Sequence, residues 1–209
     1  MFYPLFLDLK NRPVLVVGGG VVAERKVESL LEAGAAVTLV APEVTTSLRA
    51  LGNSGSIRIL QRPFQTTDVE GALLVISATD DRATQEQVAA AARARNIPVN
   101  TADQPQLCDF IVPAVVRNGD VILAISTSGK SPALDAALRA KLDREIGRNA
   151  ERAAHILGQI RGEVQAKYSD PDRRREVFQQ IVDSGILDWI SDCDDDAALQ
   201  RVRSIIEKA

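Results

Sequence analysis

The sequence has few of the side chains that ligate metals or form disulfides. It contains 2 cysteines and 1 histidine among 209 residues, and Cys108 lies far from Cys193 with no Cys-x-x-Cys pair. Two isolated thiols provide neither a disulfide framework nor a thiolate zinc site, and one imidazole excludes a site of several histidines. With only His155 available, a Ser-His-Asp hydrolase is not indicated either. We expect no metal site formed by the protein's own side chains.

A basic field and long apolar runs are also missing. The net charge is −3, so the chain has no excess of cations with which to hold nucleic acid or an anionic membrane. No apolar run approaches the length of a membrane span, and the apolar start carries Asp8 and lacks the positive charge of a secretory signal. We therefore expect a cytoplasmic protein that binds neither nucleic acid nor membrane.

Aromatic residues make up only 4% of the chain. Phe2, Tyr3 and Phe6 nevertheless stand close together, before the first expected strand. Exposed aromatics at such short spacing would form an interaction patch. We predict instead that residues 1–11 pack against the edge of a sheet.

The best-defined pattern in the sequence is Pro13–Leu31. It begins with a run of branched apolar residues, which is typical of a strand buried on both faces of a parallel sheet. After Gly18-Gly19-Gly20 the apolar residues recur at helical spacing, until Gly34. Gly18-x-Gly20-x-x-Ala23 fits the dinucleotide fingerprint, in which backbone approaches a pyrophosphate at a helix N-terminus. An ordinary glycine-rich turn between strand and helix is the alternative.

A second apolar run, Val37–Val40, follows about where the fingerprint requires its next strand. The acidic residue expected at the end of that strand comes late, as Glu43 after Pro42, and is still expected to reach the ribose. No Arg or Lys lies between Val37 and Leu48 to pair with a 2′-phosphate. The pattern predicts NAD as cofactor rather than NADP.

Three further strands are predicted, alternating with helices, at Ile57–Leu60, Ala72–Ala78 and Ile97–Asn100. This alternation predicts an α/β fold with a Rossmann-type doubly wound parallel sheet, in which strand ends face the ligand crevice. The residues expected to line the cofactor cleft at the end of the fourth strand are Ser77, Ala78 and Thr79. Asp80 and Asp81, which follow them, fit better as caps of the next helix.

The architecture changes at Asp109–Ser126, where two apolar runs flank Asn118-Gly119. This pattern predicts a β-hairpin, followed by a helix from Pro132 to Ile146. Because the hairpin is apolar on both strands, we predict a homodimer whose interface consists largely of this hairpin and the helix after it. From Gly147 onward the sequence predicts charged helices. The expected domains are a NAD-binding Rossmann domain (1–113), a dimerisation region (114–146) and a small α-helical C-terminal domain (147–209).

The turn Ser126–Pro132 joins the hairpin to that helix. Ser131 is placed as the N-cap and Pro132 at the first helical position. Hydroxyls, backbone amides and Lys130 at a helix start can also bind a carboxylate or a phosphate. Spacing alone leaves capping and anion binding equally supported.

Several motifs within residues 1–146 together resemble one known family. They are YPLFLDL from Tyr3, the glycine segment Val14–Lys26, ATDD from Ala78, NTAD from Asn100, FIVP from Phe110 and STSGKSP from Ser126. This combination is similar to precorrin-2 dehydrogenase, which also occurs as the N-terminal module of siroheme synthases. The resemblance implies NAD-dependent oxidation of precorrin-2, a tetrapyrrole, to sirohydrochlorin. Some members also insert iron into the product, and the sequence leaves that activity open.

The resemblance also implies roles for individual residues. Matching positions place cofactor contacts at Val21, Val22, Pro42 and Glu43, beside Gly18 and Gly20. The family's important aspartate matches Asp103, which we expect to be catalytic, although it also suits a cap of the turn before Pro105. The residues expected to bind the substrate are Asn100, Ser126, Ser128 and Lys130. A non-enzymatic module that senses NAD is the alternative function, and it would not need Asp103.

Overall fold

The computed structural model describes residues 2–209. The chain divides into two compact units, one ending at Val112 and the other spanning Pro113–Ala209. The hairpin, the helix after it and the helical tail all lie in the second unit. Within residues 2–209, none of the helices combines the length and the apolar character that crossing a membrane requires.

The first unit is a five-stranded sheet flanked by helices. All its strands are parallel, in the order β3-β2-β1-β4-β5, which confirms the predicted Rossmann-type doubly wound sheet. The elements in chain order are β1 (Pro13–Val17), α1 (Val21–Glu32), β2 (Ala36–Val40), α2 (Thr46–Asn53), β3 (Arg58–Leu60), β4 (Leu74–Ser77), α3 (Arg82–Arg93) and β5 (Val99–Thr101).

Strand β1 is apolar throughout because both of its faces are buried. Val14 and Val16 pack in one core with Val27 of α1. The alternate residues Leu15 and Val17 pack in a second core, on the α3 side. Since successive side chains of a strand point to opposite faces, a strand between two helical layers has no polar face to show in its sequence.

The prediction that residues 1–11 pack against the sheet is wrong for most of the segment. Tyr3 is 86% exposed and Phe6 is 71% exposed. Of residues 2–11, only Leu9 packs against the core, and the backbone amide of Asn11 donates to the carbonyl of Gly34; Met1 lies outside the described residues. The physical reason lies in the strand order: β1 is flanked by β2 and β4, so the chain that leads into β1 has no free sheet edge to join.

The residues after β5 also differ from the prediction, because the hairpin begins at Ala114 rather than at Asp109. The Asp109 amide donates to the Val99 carbonyl (2.8 Å), and its carboxylate accepts from the Val99 amide (3.1 Å). The Asn100 side chain donates to the Phe110 carbonyl (2.9 Å). These bonds hold the segment along β5, and it is therefore unavailable to the hairpin.

The second unit begins with the predicted hairpin. Strands β6 (Ala114–Asn118) and β7 (Val121–Ile125) pair antiparallel through a loop of Gly119 and Asp120, with Gly119 at φ +55°. The remaining helices are α4 (Pro132–Glu145), α5 (Gly147–Lys167), α6 (Pro171–Asp183), α7 (Ile186–Trp189) and α8 (Asp195–Lys208).

The two parts of the second unit are buried to different degrees. Helices α5 to α8 share an apolar core that includes Ile160, Ile181 and Val202. In the hairpin and α4, by contrast, Val116 is the one fully buried apolar residue, and Leu134 of α4 is 49% exposed. A two-stranded hairpin needs another layer for stability, so this apolar face is incompletely covered in a single chain.

Candidate cofactor site

A cavity of about 780 Å³ opens at the carboxyl ends of the parallel strands in the first unit. This is the edge at which ligands bind in doubly wound sheets. The predicted site residues that line it are Gly18, Gly20, Val21, Val22, Pro42, Glu43, Ala78, Thr79 and Asp103. Ser77 and Asn100 do not line it, and Ser126, Ser128 and Lys130 belong to the second unit.

The three glycines of the fingerprint meet different surroundings. Gly18 has φ +124°, and a Cβ there would lie 2.3 Å from the carbonyl oxygen of Ala78. At Gly19 a Cβ would lie 1.9 Å from the carbonyl oxygen of Glu43. A Cβ at Gly20 would meet no atom within 4 Å. The first two glycines therefore allow close packing of the loops, and the third leaves open space at the start of α1.

That open space suits the phosphates of a dinucleotide. Gly20 is the N-cap of α1 and provides no side-chain hydrogen bond to the helix. The first amides of the helix thus retain their capacity to donate to an anion, with the helix dipole in the same sense. Gly19 stands at a variable position of the fingerprint, so the sequence pattern does not single it out.

The loop after β2 is fixed against the start of α1. The Thr45 amide donates to the carbonyl of Gly19 (3.0 Å), and the Thr45 hydroxyl donates to Glu24 (2.7 Å). Hydrogen bonds from Thr45 and Ser47 lower the pKa of Glu24. These contacts place Glu43 beside the glycines, at the wall of the cavity.

Two arginines on or next to the cavity lining are paired with carboxylates. Arg62 donates to both carboxylate oxygens of Asp68, at 2.8 and 2.6 Å. The hydrogen bond from Arg62 is the main reason why the pKa of Asp68 is lowered. Arg82 lines the cavity and pairs with Glu86 at 3.0 Å.

The end of β4 divides between cavity and helix cap. Ala78 and Thr79 line the cavity, whereas Ser77 is fully buried. Asp81 is the N-cap of α3, with its carboxylate accepting from the Thr84 amide at 3.0 Å. Hydrogen bonds from Thr84 lower the pKa of Asp81. The predicted capping role thus belongs to Asp81.

Asp103 follows β5 and lines the cavity with an exposed side chain. Its φ is +58°, a left-handed conformation that aspartate tolerates better than most residues. Within residues 2–209 its carboxylate takes part in no hydrogen bond or ion pair, so no bond supports the alternative of a turn cap before Pro105.

Asn100 and Gln85 have structural contacts that the sequence patterns do not indicate. The Asn100 amide is 9% exposed and donates to the carbonyl of Phe110, so it braces the chain after β5. Gln85 is 5% exposed and donates to the carbonyls of Thr79 (2.7 Å) and Ala102 (3.3 Å). The available signal for Gln85 is one polar residue on the apolar stripe of α3.

The turn Ser126–Pro132 is well ordered by its own hydrogen bonds. Ser131 is the N-cap of α4, with its hydroxyl accepting from the Leu134 amide at 3.2 Å. The Ser128 amide donates to the Ser126 hydroxyl at 3.0 Å, and Ser128 has φ +57°. Capping is therefore realised, while anion binding by this turn stays a prediction.

Two family models match the chain. One, described as "Putative NAD(P)-binding", matches residues 5–114, which is more than half of the chain. The other, described as "Sirohaem synthase dimerisation region", matches residues 150–206. The second match lies over helices α5 to α8, downstream of the hairpin and helix at 114–146 for which we predict dimerisation.

Two curated relatives of the chain are siroheme synthases. The siroheme synthase of Methylococcus capsulatus is 41% identical over 182 residues, which cover 87% of this chain and 38% of the relative. The siroheme synthase of Methylobacillus flagellatus is 40% identical over 188 residues, covering 88% of this chain and 40% of the relative. The chain thus spans about two fifths of the length of these relatives.

Among solved structures, a precorrin-2 dehydrogenase named SirC is similar over the whole chain. The TM-score is 0.79 at 27% sequence identity, and the match covers 97% of this chain and 100% of SirC. The similarity therefore extends through both units.

Substitution of Gly18 should affect the stability of the fold, whereas substitution of Gly20 should affect cofactor binding. Gly18→Ala should destabilise the fold by roughly 2–4 kcal/mol. Its Cβ would collide with the carbonyl of Ala78, and the φ of +124° at this position is unfavourable for alanine. Gly20→Leu should leave the melting temperature within a few degrees and weaken NADH binding by about tenfold or more, since its side chain enters the phosphate space. Thermal melts and NADH fluorescence titrations measure both.

Gly158 of α5 offers a matched control, because a Cβ there also meets no atom within 4 Å but lies outside the cavity. Gly158→Leu should leave NADH affinity unchanged. Full NADH affinity in Gly20→Leu would show that the phosphates lie elsewhere.

Proposed function

Because the chain belongs to the NAD(P)-binding family whose model covers residues 5–114, we propose that it is an NAD-dependent precorrin-2 dehydrogenase. Such an enzyme oxidises precorrin-2 to sirohydrochlorin, on the route to siroheme or cobalamin. The similarity to SirC across both units supports the proposal. The observation that carries it is the carboxylate of Asp103, unpaired within residues 2–209, on the same cavity as the glycine cradle.

The reaction removes a hydride and a proton from the macrocycle. A bound nicotinamide cofactor would supply the hydride acceptor, and the protein has to position the macrocycle and accept the proton. Asp103 is suited to accept the proton, because its carboxylate is exposed to the cavity and takes part in no competing hydrogen bond within residues 2–209. We assign it the role of proton acceptor.

The cofactor would lie along the strand ends. The open space at Gly20 and the first amides of α1 would hold the pyrophosphate, with Val21 and Val22 beside it. Pro42 and Glu43 would contact the adenosine ribose. Ala78 and Thr79, which line the same cavity as Asp103, would hold the nicotinamide end.

The substrate carries many carboxylates and needs hydrogen-bond donors. The turn Ser126–Pro132 provides hydroxyls, the exposed Lys130 and the N-terminus of α4. We assign Ser126, Ser128 and Lys130 to substrate binding on this chemistry. Asn100, whose amide is engaged with Phe110, would act on the substrate through the chain it braces.

Substitutions of Asp103 and Ser128 should have different effects on kcat and KM. Asp103→Asn keeps the shape but removes the basicity, so kcat should fall by about 10²–10⁴-fold with NAD affinity unchanged. Ser128→Ala should raise KM more than it lowers kcat. Anaerobic incubation with precorrin-2 and NAD, followed by the sirohydrochlorin spectrum, measures both.

Two results would contradict these assignments. Near wild-type turnover by Asp103→Asn with a lowered melting temperature would mean that Asp103 only stabilises its turn. No turnover by the wild type, with NAD binding intact, would favour the sensor function instead.

We also assign NAD, rather than NADP, as the cofactor. Glu43 would repel a 2′-phosphate, and the nearby Arg62 is engaged by Asp68. The ratio of kcat/KM for NAD to that for NADP should be about tenfold or more, and Glu43→Arg should reduce it. Glu28→Arg, on the exposed face of α1, is the control. Equal use of both cofactors by the wild type would refute the assignment.

A homodimer built on the hairpin and α4 would cover the exposed apolar face of the second unit. Leu134 and Leu138 of α4 are 49% and 36% exposed, and Val115 of β6 is 37% exposed. A charge placed on this face should oppose association, because it would be buried without a partner. The match to a dimerisation region at residues 150–206 supports self-association by this unit.

Sedimentation at micromolar concentration should therefore show a species of twice the 22.6 kDa chain mass. Leu138→Asp should shift the distribution toward the single chain, whereas Arg49→Asp, exposed on α2 of the first unit, should not. A wild type that sediments only at 22.6 kDa would rule the dimer out.

A further inference from the structure

Gln85 is the polar residue on the buried face of α3. It is 5% exposed and stands one turn before Val88 and Ala89, which are at most 1% exposed. Removing an amide from water is unfavourable unless its hydrogen bonds are replaced. An alanine or leucine would satisfy the helix equally well, so the contacts of the amide have to explain its presence.

Those contacts join two loops of the cavity. Gln85 Nε2 donates to the carbonyl oxygen of Thr79 at 2.7 Å and to that of Ala102 at 3.3 Å. Thr79 follows β4, and Ala102 follows β5. Both residues line the cavity, and Asp103 is the next residue after Ala102. One side chain thus connects the proposed nicotinamide side to the proposed proton acceptor.

No other hydrogen bond within the described chain joins residues 78–81 to residues 102–104. The pairing of β4 with β5 ends at Ser77 and Thr101. The Ala102 amide then donates to the Ser77 carbonyl at 2.9 Å. Beyond this point the loops diverge from the sheet. Asp103 also has φ +58°, a left-handed conformation that still costs energy for a residue with a Cβ atom.

We propose that Gln85 is a positioning residue: it holds the loops after β4 and β5 together, so that Asp103 faces the cofactor at a fixed distance. Its effect on turnover rests on the proposed dehydrogenase function. Its effect on the loops does not, and can be measured separately.

Hydrogen exchange tests the loop connection without any substrate. Gln85→Leu removes both donated bonds and leaves a side chain of similar size. Amide exchange should rise in both segments 78–81 and 101–104, because each loses its tie to α3. Gln87→Leu is the matched control, since Gln87 is exposed on the same helix. Unchanged exchange in both segments of Gln85→Leu would overturn the proposal.

Turnover tests the catalytic consequence. Gln85→Leu should lower kcat by about 10–10²-fold, since a displaced catalytic group loses its orientation, while NAD affinity stays within about threefold. A merely structural role would lower the melting temperature and leave kcat of the folded enzyme unchanged, which would also overturn the proposal. If the wild type does not oxidise precorrin-2, the proposed dehydrogenase function is refuted. The hydrogen-exchange result would still show whether Gln85 holds the two loops together.

Gln85→Glu adds a pH readout. A buried carboxyl that faces two carbonyl oxygens should have a raised pKa, and only its protonated form can donate. Activity and loop protection in Gln85→Glu should therefore recover in part as the pH falls, relative to the wild type at the same pH. An absence of recovery, with the variant folded, would argue against the hydrogen bonds as the cause.

Discussion

Close packing of the backbone at Gly18 and Gly19 is the constraint on which the cofactor site depends. The carbonyl oxygens of Ala78 and Glu43 occupy the space where side chains would stand. The loops after β4 and β2 therefore approach the start of α1 to a distance that only glycine permits. This approach brings cavity residues that follow three strands together with the N-terminus of α1.

Several carboxylates on or near the cavity are engaged in hydrogen bonds. Asp81 caps α3, Asp68 pairs with Arg62, and Glu24 accepts from Thr45. Asp103 has no such partner within residues 2–209, and its left-handed backbone costs energy for a residue with a Cβ atom. Glu43 and Asp80 also line the cavity without a hydrogen bond or ion pair of their carboxylates within residues 2–209, so the assignment of proton transfer to Asp103 rests on its place after β5, next to Ala102, which Gln85 connects to Thr79.

The two units differ in how far their apolar surfaces are covered. The parallel sheet of the first unit is covered on both faces and needs no further layer. The hairpin and α4 of the second unit leave apolar side chains in water, although α5 to α8 have a core of their own. The first arrangement suits a pre-formed cofactor site, and the second suits association through an uncovered face.

Local patterns determined the strand-glycine-helix segment, the hairpin and the cap at Ser131, because each depends on residues close together in the chain. The parallel sheet followed from the alternation of strands and helices. Only the tertiary structure decided that residues 2–8 find no sheet edge, since that depends on β2 and β4 flanking β1. It also decided that Gly19 meets Glu43 and that Gln85 joins two loops, because these contacts link segments about 20 residues apart whose approach no local spacing encodes.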